Sequence, residues 1–121
     1  MDVRFHCEKR VRRSGKKSKH GVLATCPAVM QVLRLNPQYG LSIPRHEGLR
    51  KMRLQVPGLN AGKSGGYRLV YSVKEMDEAL HIVFLETWFK GDKEDLSSGE
   101  YRDLEAAAVS VFAQPTLYDW E

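Results

Sequence analysis

The sequence predicts a small α+β domain, and three observations carry that reading. The chain has 121 residues, enough for one compact core and too few for two. The runs at 49–56, which alternates with period two, at 67–73, and at 80–89, which is apolar on both faces, read as consecutive strands. Apolar residues spaced three and four apart, in 21–37 and again after Ser97, read as helices on either side of those strands. We take residues 1–121 as a single domain, with a basic segment at 1–20 and a tail at 114–121.

The first element is a short strand at 3–7, where Val3, Phe5 and Cys7 alternate with Arg4 and His6. Residues 8–20 are almost wholly cationic and contain one apolar residue, Val11. A single apolar position cannot make a buried helical stripe, so a frayed helix or a solvated basic arm is expected. In 21–37, Pro27 suits a first helical turn capped by Thr25 or Cys26. Val29, Met30, Val32, Leu33 and Leu35 form its apolar face, and Asn36-Pro37 ends it. Residues 38–48, with Gly40, Pro44 and Gly48, read as a loop.

The strand at 49–56 points Met52, Leu54 and Val56 one way and Lys51, Arg53 and Gln55 the other. A glycine-rich loop at 57–66 leads into a strand at 67–73, and a polar turn at 74–79 follows. The strand at 80–89 is apolar on both faces, which places it inside the sheet. Ser97 or Ser98 caps the last helix, with Glu100 in its first turn. Leu104, Ala107, Ala108, Val111 and Phe112 give that helix its stripe, and Pro115 stops it.

Charge divides the chain. Residues 1–74 hold sixteen Lys/Arg against three acids, a net of +13. Residues 75–121 hold three Lys/Arg against twelve acids, a net of −9. Such a split implies a cationic surface aimed at a polyanion, unless the two halves neutralise each other in the fold. No apolar run approaches the roughly 20 residues of a membrane span, and residues 1–7 are too short and mixed for a secretory signal. Cys7 and Cys26 are therefore expected as reduced thiols, in the cytoplasm.

Gly62-Lys63-Ser64 resembles the end of a nucleotide-binding P-loop, but Pro57 occupies the place of the first glycine. A strand rather than a helix follows, so no helix N-terminus is available to cradle phosphates. His6, His20, His46 and His81 lack metal spacing, and His81 on its strand reads as structural. No Ser–His–Asp set, Cys–His pair or couple of acids is legible, and no metal or cofactor is expected. The cationic strand face is the remaining candidate. Lys51 and Arg53 project together, and Arg68 joins them if strands 49–56 and 67–73 pair antiparallel. Converging cations without an acid among them suit a phosphate, and arginine supplies forked donors for it.

Three segments match a known pattern: Gly48-Leu49-Arg50-Lys51-Met52-Arg53-Leu54, Gly62-Lys63-Ser64-Gly65-Gly66-Tyr67-Arg68-Leu69-Val70-Tyr71, and Lys90-Gly91-Asp92-Lys93-Glu94-Asp95-Leu96-Ser97. In order and spacing they resemble the RelE/HigB-type toxins of bacterial type II toxin–antitoxin modules, within the RelE/ParE superfamily. The resemblance covers roughly residues 22–104. It implies an antiparallel sheet packed with N-terminal helices and a C-terminal helix. It also implies a metal-independent, ribosome-dependent mRNA endoribonuclease that inhibits translation. The implied partners are a cognate antitoxin, the ribosome and mRNA, with operator DNA reached only through the antitoxin complex and no membrane.

Carried over by position, Arg68 stabilises the transition state, and Lys51 and Arg53 bind phosphate, Lys51 also as a proton carrier. Lys63, Lys90 and Lys93 are assigned to RNA phosphates. Well-studied relatives carry an arginine just after the position of Lys90, where this chain has Gly91, and a tyrosine near the last helix that works in proton transfer, for which this chain has no tyrosine at the matching spacing. Tyr101 takes that proton-transfer role only if the last helix leans over the sheet. Two other readings stand beside it: a ParE-like inhibitor of DNA gyrase, against which the intact Lys51, Arg53 and Arg68 argue, and a non-catalytic nucleic-acid-binding protein holding backbone phosphates with its basic arm and sheet.

Overall fold

The computed structural model describes residues 1–18, 21–56 and 66–120. Its strands are β1 Asp2–Cys7, β2 Leu41–Ile43, β3 His46–Leu54, β4 Tyr67–Met76 and β5 Ala79–Phe89. Its α-helices are α1 Lys9–Lys16, α2 Cys26–Leu35 and α3 Ser98–Ala113, with 3-10 turns at Val22–Thr25 and Pro115–Tyr118. The five strands form one sheet in the order β1-β5-β4-β3-β2. All neighbours are antiparallel except β1 and β5, which run parallel. The α+β fold read from the sequence is the observed one.

Period two sorts the sheet's side chains into two layers. Met52, Leu54, Leu69, Tyr71, Ile82 and Phe84 point to the layer that α1 and α2 close. Leu49, Val70, Val83 and Leu85 point to the layer that α3 closes with Tyr101, Leu104, Ala108 and Val111. β5 is buried on both faces, as expected, and lies between β1 and β4.

Several boundaries differ from the sequence reading. The stretch read as a loop before residue 48 contains β2 and the start of β3, because three residues are too few to show a period. The turn at 74–79 shrinks to Asp77-Glu78, both at positive φ, which matches the twist of a tight hairpin. In α2 the buried face is Cys26, Val29, Met30 and Leu33, while Val32 and Leu35 are exposed. Thr25 sits at the cap position, but its hydroxyl donates back to the Val22 carbonyl at 2.6 Å rather than capping α2. Ser97 and Glu100 do form the reciprocal capping box expected for α3.

The largest correction concerns the basic segment. Lys9–Lys16 is a docked helix, with Glu8 as its cap accepting from the Arg10 amide at 2.8 Å. It buries Val11 and, one turn on, Gly15. A Cβ at Gly15 would lie 2.3 Å from the Leu23 side chain, so Leu23 fills the groove that a longer residue would block. The helix therefore borrows its second apolar contact from the 3-10 turn at Val22–Thr25.

Candidate functional site

β3 and β4 place the expected cations on one face. Arg53 lies directly opposite Arg68 in the antiparallel register, and Lys51 opposite Val70. All three line a cleft of about 760 Å³, together with Lys90 from the β5–α3 connection and Asp95 from the approach to α3. Tyr39, Gly40 and Leu41 form another wall. That wall is pinned from below. The Tyr71 hydroxyl donates to the Pro37 carbonyl at 2.9 Å and accepts from the Gly40 amide at 2.7 Å. Arg50 donates to the Gly40 carbonyl at 2.6 Å. A Cβ at Gly40 would meet the Tyr71 ring at 2.8 Å, so the close approach requires glycine.

Arg53 is exposed, whereas Arg68 is only 6% exposed. Burial, and then the Arg53 guanidinium beside it, lower the Arg68 pKa from its ordinary value. Like charges placed opposite each other across strands oppose the pairing. Arg68 is nevertheless held: it donates to the Tyr67 carbonyl at 3.3 Å, and Thr87 donates to the Arg68 carbonyl at 2.9 Å. The held Arg68 guanidinium, with the exposed Arg53 guanidinium directly opposite, forms a receptor for an anion.

At the α3 side of the cleft, three groups from three elements meet. Lys51 Nζ donates to Asp95 Oδ1 and to the Tyr101 hydroxyl, both at 3.1 Å. Tyr101 in turn donates to the same Asp95 oxygen in a very short bond, and the Leu96 amide also donates to it, at 2.8 Å. Burial pulls the Asp95 pKa up, but the hydrogen bonds from Tyr101, Lys51 and Leu96 outweigh it and hold the carboxyl below its ordinary value. Tyr101 is pushed well up, first by burial and then by Asp95. Behind the phenol lies buried His46, its ring centroid 5.3 Å away and its Nδ1 2.5 Å from Glu105 Oε1. So α3 does lean over the sheet and brings Tyr101 to the cationic strand.

The structure thus brings together Lys51, Arg53, Arg68, Lys90 and Tyr101. It does not bring in Lys93, which turns away and pairs with Glu100 at 2.5 Å. Lys63 and the Gly62-Lys63-Ser64 stretch lie outside the described residues, as does His20. Asp95 was missed as a site residue, since its place before Leu96-Ser97 reads as a helix approach. Tyr39 carried no signal. Among the described residues, no group of three or more His, Cys, Asp or Glu side chains is arranged to hold a metal ion. Among them also, no helix is long and apolar enough to cross a membrane.

A second titratable set lies at the other end of the sheet. His6 Nε2 is 2.8 Å from His81 Nδ1, the rings stack at 5.0 Å, and His6 Nδ1 is 3.2 Å from Asp119 Oδ1. The last residues cover this set. Trp120 donates its amide to the Phe5 carbonyl at 3.1 Å and packs edge-on against Phe84. Arg12 of α1 lies over the Trp120 ring at 5.4 Å.

The sheet order and the two helical layers define a RelE-like α+β architecture. The chain is similar to a free-state structure of a double mutant of the E. coli toxin RelE, with a TM-score of 0.54 and 17% identity. The likeness covers 91% of this chain and 97% of that chain, a wider span than residues 22–104. No protein-family model and no curated protein sequence matches the chain.

Proposed function

We propose that the chain is the toxin of a type II toxin–antitoxin module, a ribosome-dependent endoribonuclease that cuts mRNA and stops translation. The observation that carries this reading is the convergence of Lys51, Arg53, Arg68 and Lys90 on one cleft, with the Tyr101 hydroxyl bonded to two of its lining residues, Lys51 and Asp95. Cleavage by the RNA's own 2′-hydroxyl requires that hydroxyl to lose a proton, the phosphorane to be neutralised and the 5′-oxygen to be protonated. Fixed guanidinium and ammonium groups neutralise the phosphorane without a metal. Arg68, rigid and shielded, stabilises the transition state. Lys51 and Arg53 hold the scissile phosphate, and Lys90 holds its flank. Lys63 and Lys93 serve the neighbouring backbone, Lys93 after release from Glu100. The cognate antitoxin restrains the toxin in the cytoplasm, and operator DNA is reached through their complex.

The test is induced expression of wild type and Arg68→Ala. Wild type should arrest growth and leave cuts in translated mRNA. Arg68→Ala should lose about 10²–10³-fold in cleavage rate, the usual effect of removing one preorganised donor. Equal toxicity and equal cutting by the variant would remove Arg68 from the site. Arrest without cuts, together with supercoiling inhibition by purified protein, would favour the gyrase reading. Steeply salt-dependent RNA binding with no cutting would favour a binding protein.

A further inference from the structure

The cleft supplies cations in abundance, while the group that takes the 2′-hydroxyl proton is not evident from them. We propose that Asp95 is a positioning residue that makes Tyr101 this group, as the terminal acceptor of a two-step proton relay. The proposal rests on the endoribonuclease reading and names the missing half of its chemistry.

The geometry carries it. Tyr101 donates its only proton to Asp95 Oδ1 and accepts one from Lys51 Nζ. Its phenol oxygen keeps one remaining lone pair for a substrate hydroxyl. Tyr101 is 5% exposed, so its ring is fixed, whereas the Asp95 side chain is 52% exposed and can pass a proton to water. A phenol alone is a poor base near neutral pH, and a buried one is poorer still. A carboxylate already bonded to its proton removes that difficulty.

The relay balances as follows. The 2′-hydroxyl proton moves to Tyr101 Oη as the Tyr101 proton moves to Asp95 Oδ1. The 2′-oxygen attacks phosphorus over Arg68, giving a 2′,3′-cyclic phosphate. The P–O5′ bond breaks, and the 5′-oxygen keeps its electron pair and takes a proton from Lys90. Lys90 follows β5 and Lys51 lies on β3, so β4 with Arg68 stands between them. Asp95 then gives its proton to water, and Lys90 regains one from water.

The charged surroundings matter for the pH behaviour. β3 presents Lys51, Arg53 and His46, and β4 presents Arg68. The connection adds Lys90 and Glu94, and α3 adds Glu100 and Glu105. Burial raises the Asp95 pKa, but the bonds from Tyr101, Lys51 and the Leu96 amide hold it below its ordinary value, so Asp95 remains ionised down to pH values below about 4. Between pH 6 and 9 the relay is therefore in its working state.

The experiment is single-turnover cleavage of mRNA on programmed ribosomes from pH 6 to 9. It compares wild type, Asp95→Asn, Asp95→Glu, Tyr101→Phe and the Asp95→Asn/Tyr101→Phe double variant. Wild type should be nearly flat with pH. Asp95→Asn should fall about 10²-fold at pH 7, the low end for general acid–base catalysis, and climb about tenfold per pH unit. Asp95→Glu should recover most of the rate and the flat profile. The double variant should be no slower than Tyr101→Phe, because both changes break one relay.

A flat profile for Asp95→Asn, or additive losses in the double variant, would overturn the relay while leaving the nuclease reading intact. Absence of cutting by wild type would overturn both. Should Asp95→Asn fail to fold, two results decide: Tyr101→Phe must lose a similar factor, and Asp95→Glu must keep the flat profile.

Discussion

The two sets of titratable groups stand at opposite ends of the same sheet, and each draws side chains from distant parts of the chain. His6, His81 and Asp119 are gathered by β1, β5 and the tail; Lys51, Asp95 and Tyr101 by β3, the approach to α3, and α3 itself. Both sets contain perturbed groups. The difference is what closes them. The histidine set is closed: His6 and His81 are both buried, their ring nitrogens are 2.8 Å apart, and Asp119 stands against His6. The Lys51 set opens on a cleft lined by the cations Lys51, Arg53, Arg68 and Lys90, with Glu94 and Asp95 on one side. A perturbed titration marks a tightly built place; convergent charge facing an opening marks a place built for a ligand.

That contrast breaks most visibly under paired substitutions. Arg68→Ala should remove most cleavage activity while leaving the thermal midpoint unchanged or raised, because a buried guanidinium loses its repulsion with Arg53. Trp120→Ala should do the reverse. The ring is half-buried against Phe5 and Phe84, so truncation should destabilise by about 2–3 kcal/mol, somewhat below the loss for a fully buried tryptophan. Cleavage per folded molecule should stay at the wild-type level. Calorimetry beside a cleavage assay on the same preparations checks both, and loss of activity in folded Trp120→Ala would show that the two ends are coupled.

Which parts of this were legible in the sequence follows from the range of each interaction. Lys51, Arg53 and Arg68 could be placed on one face because period two and a single hairpin pairing decide it locally. Tyr101 could be placed only conditionally, since its reach depends on how α3 packs, which Leu104, Ala108 and Val111 set together with Val70 and Val83. Asp95 was invisible for the same reason: its role is a meeting of three elements. Lys93 stands apart from Lys90 because a tight turn, with the Asp92 amide bonded to the Phe89 carbonyl at 3.0 Å, sends the two side chains different ways, which spacing alone does not show. The docking of α1 rests on a glycine and a neighbour's leucine, so its own apolar pattern could not announce it. The parallel pairing of β1 with β5 joins residues more than seventy positions apart, beyond any local signal.

The histidine set should also respond to acid in a way the cleft does not. Burial first, then His81, lower the His6 pKa from 6.5. The folded state therefore binds this proton less readily than the unfolded state. The His6 contribution is fully present above about pH 6.5 and is lost as pH falls from there through the folded pKa. The slope cannot exceed about 1.4 kcal/mol per pH unit for one proton. Urea denaturation between pH 7.5 and 5 should show this loss in wild type and a shallower one in His6→Gln. Equal slopes would mean that acid acts elsewhere in the protein.

The smallest effect concerns the thiols, which lie in the layer under α1 and α2, away from both sets. Burial pushes the Cys7 thiol up to about 12 and the Cys26 thiol to about 11. Reactivity follows the thiolate, so both should be nearly inert toward a disulfide reagent at pH 8 in the native protein. Both should react within minutes once the chain is unfolded in guanidinium. Raised folded pKa values also mean that their stabilising contribution is full below about pH 8.5 and declines as pH rises toward 11–12. Labelling that is slow at pH 8 and limited by opening at every reagent concentration would report how often this layer parts. Trp120→Ala should speed it, because Trp120 packs against Phe5 and Phe84 in that same layer, while Arg68→Ala should leave it unchanged.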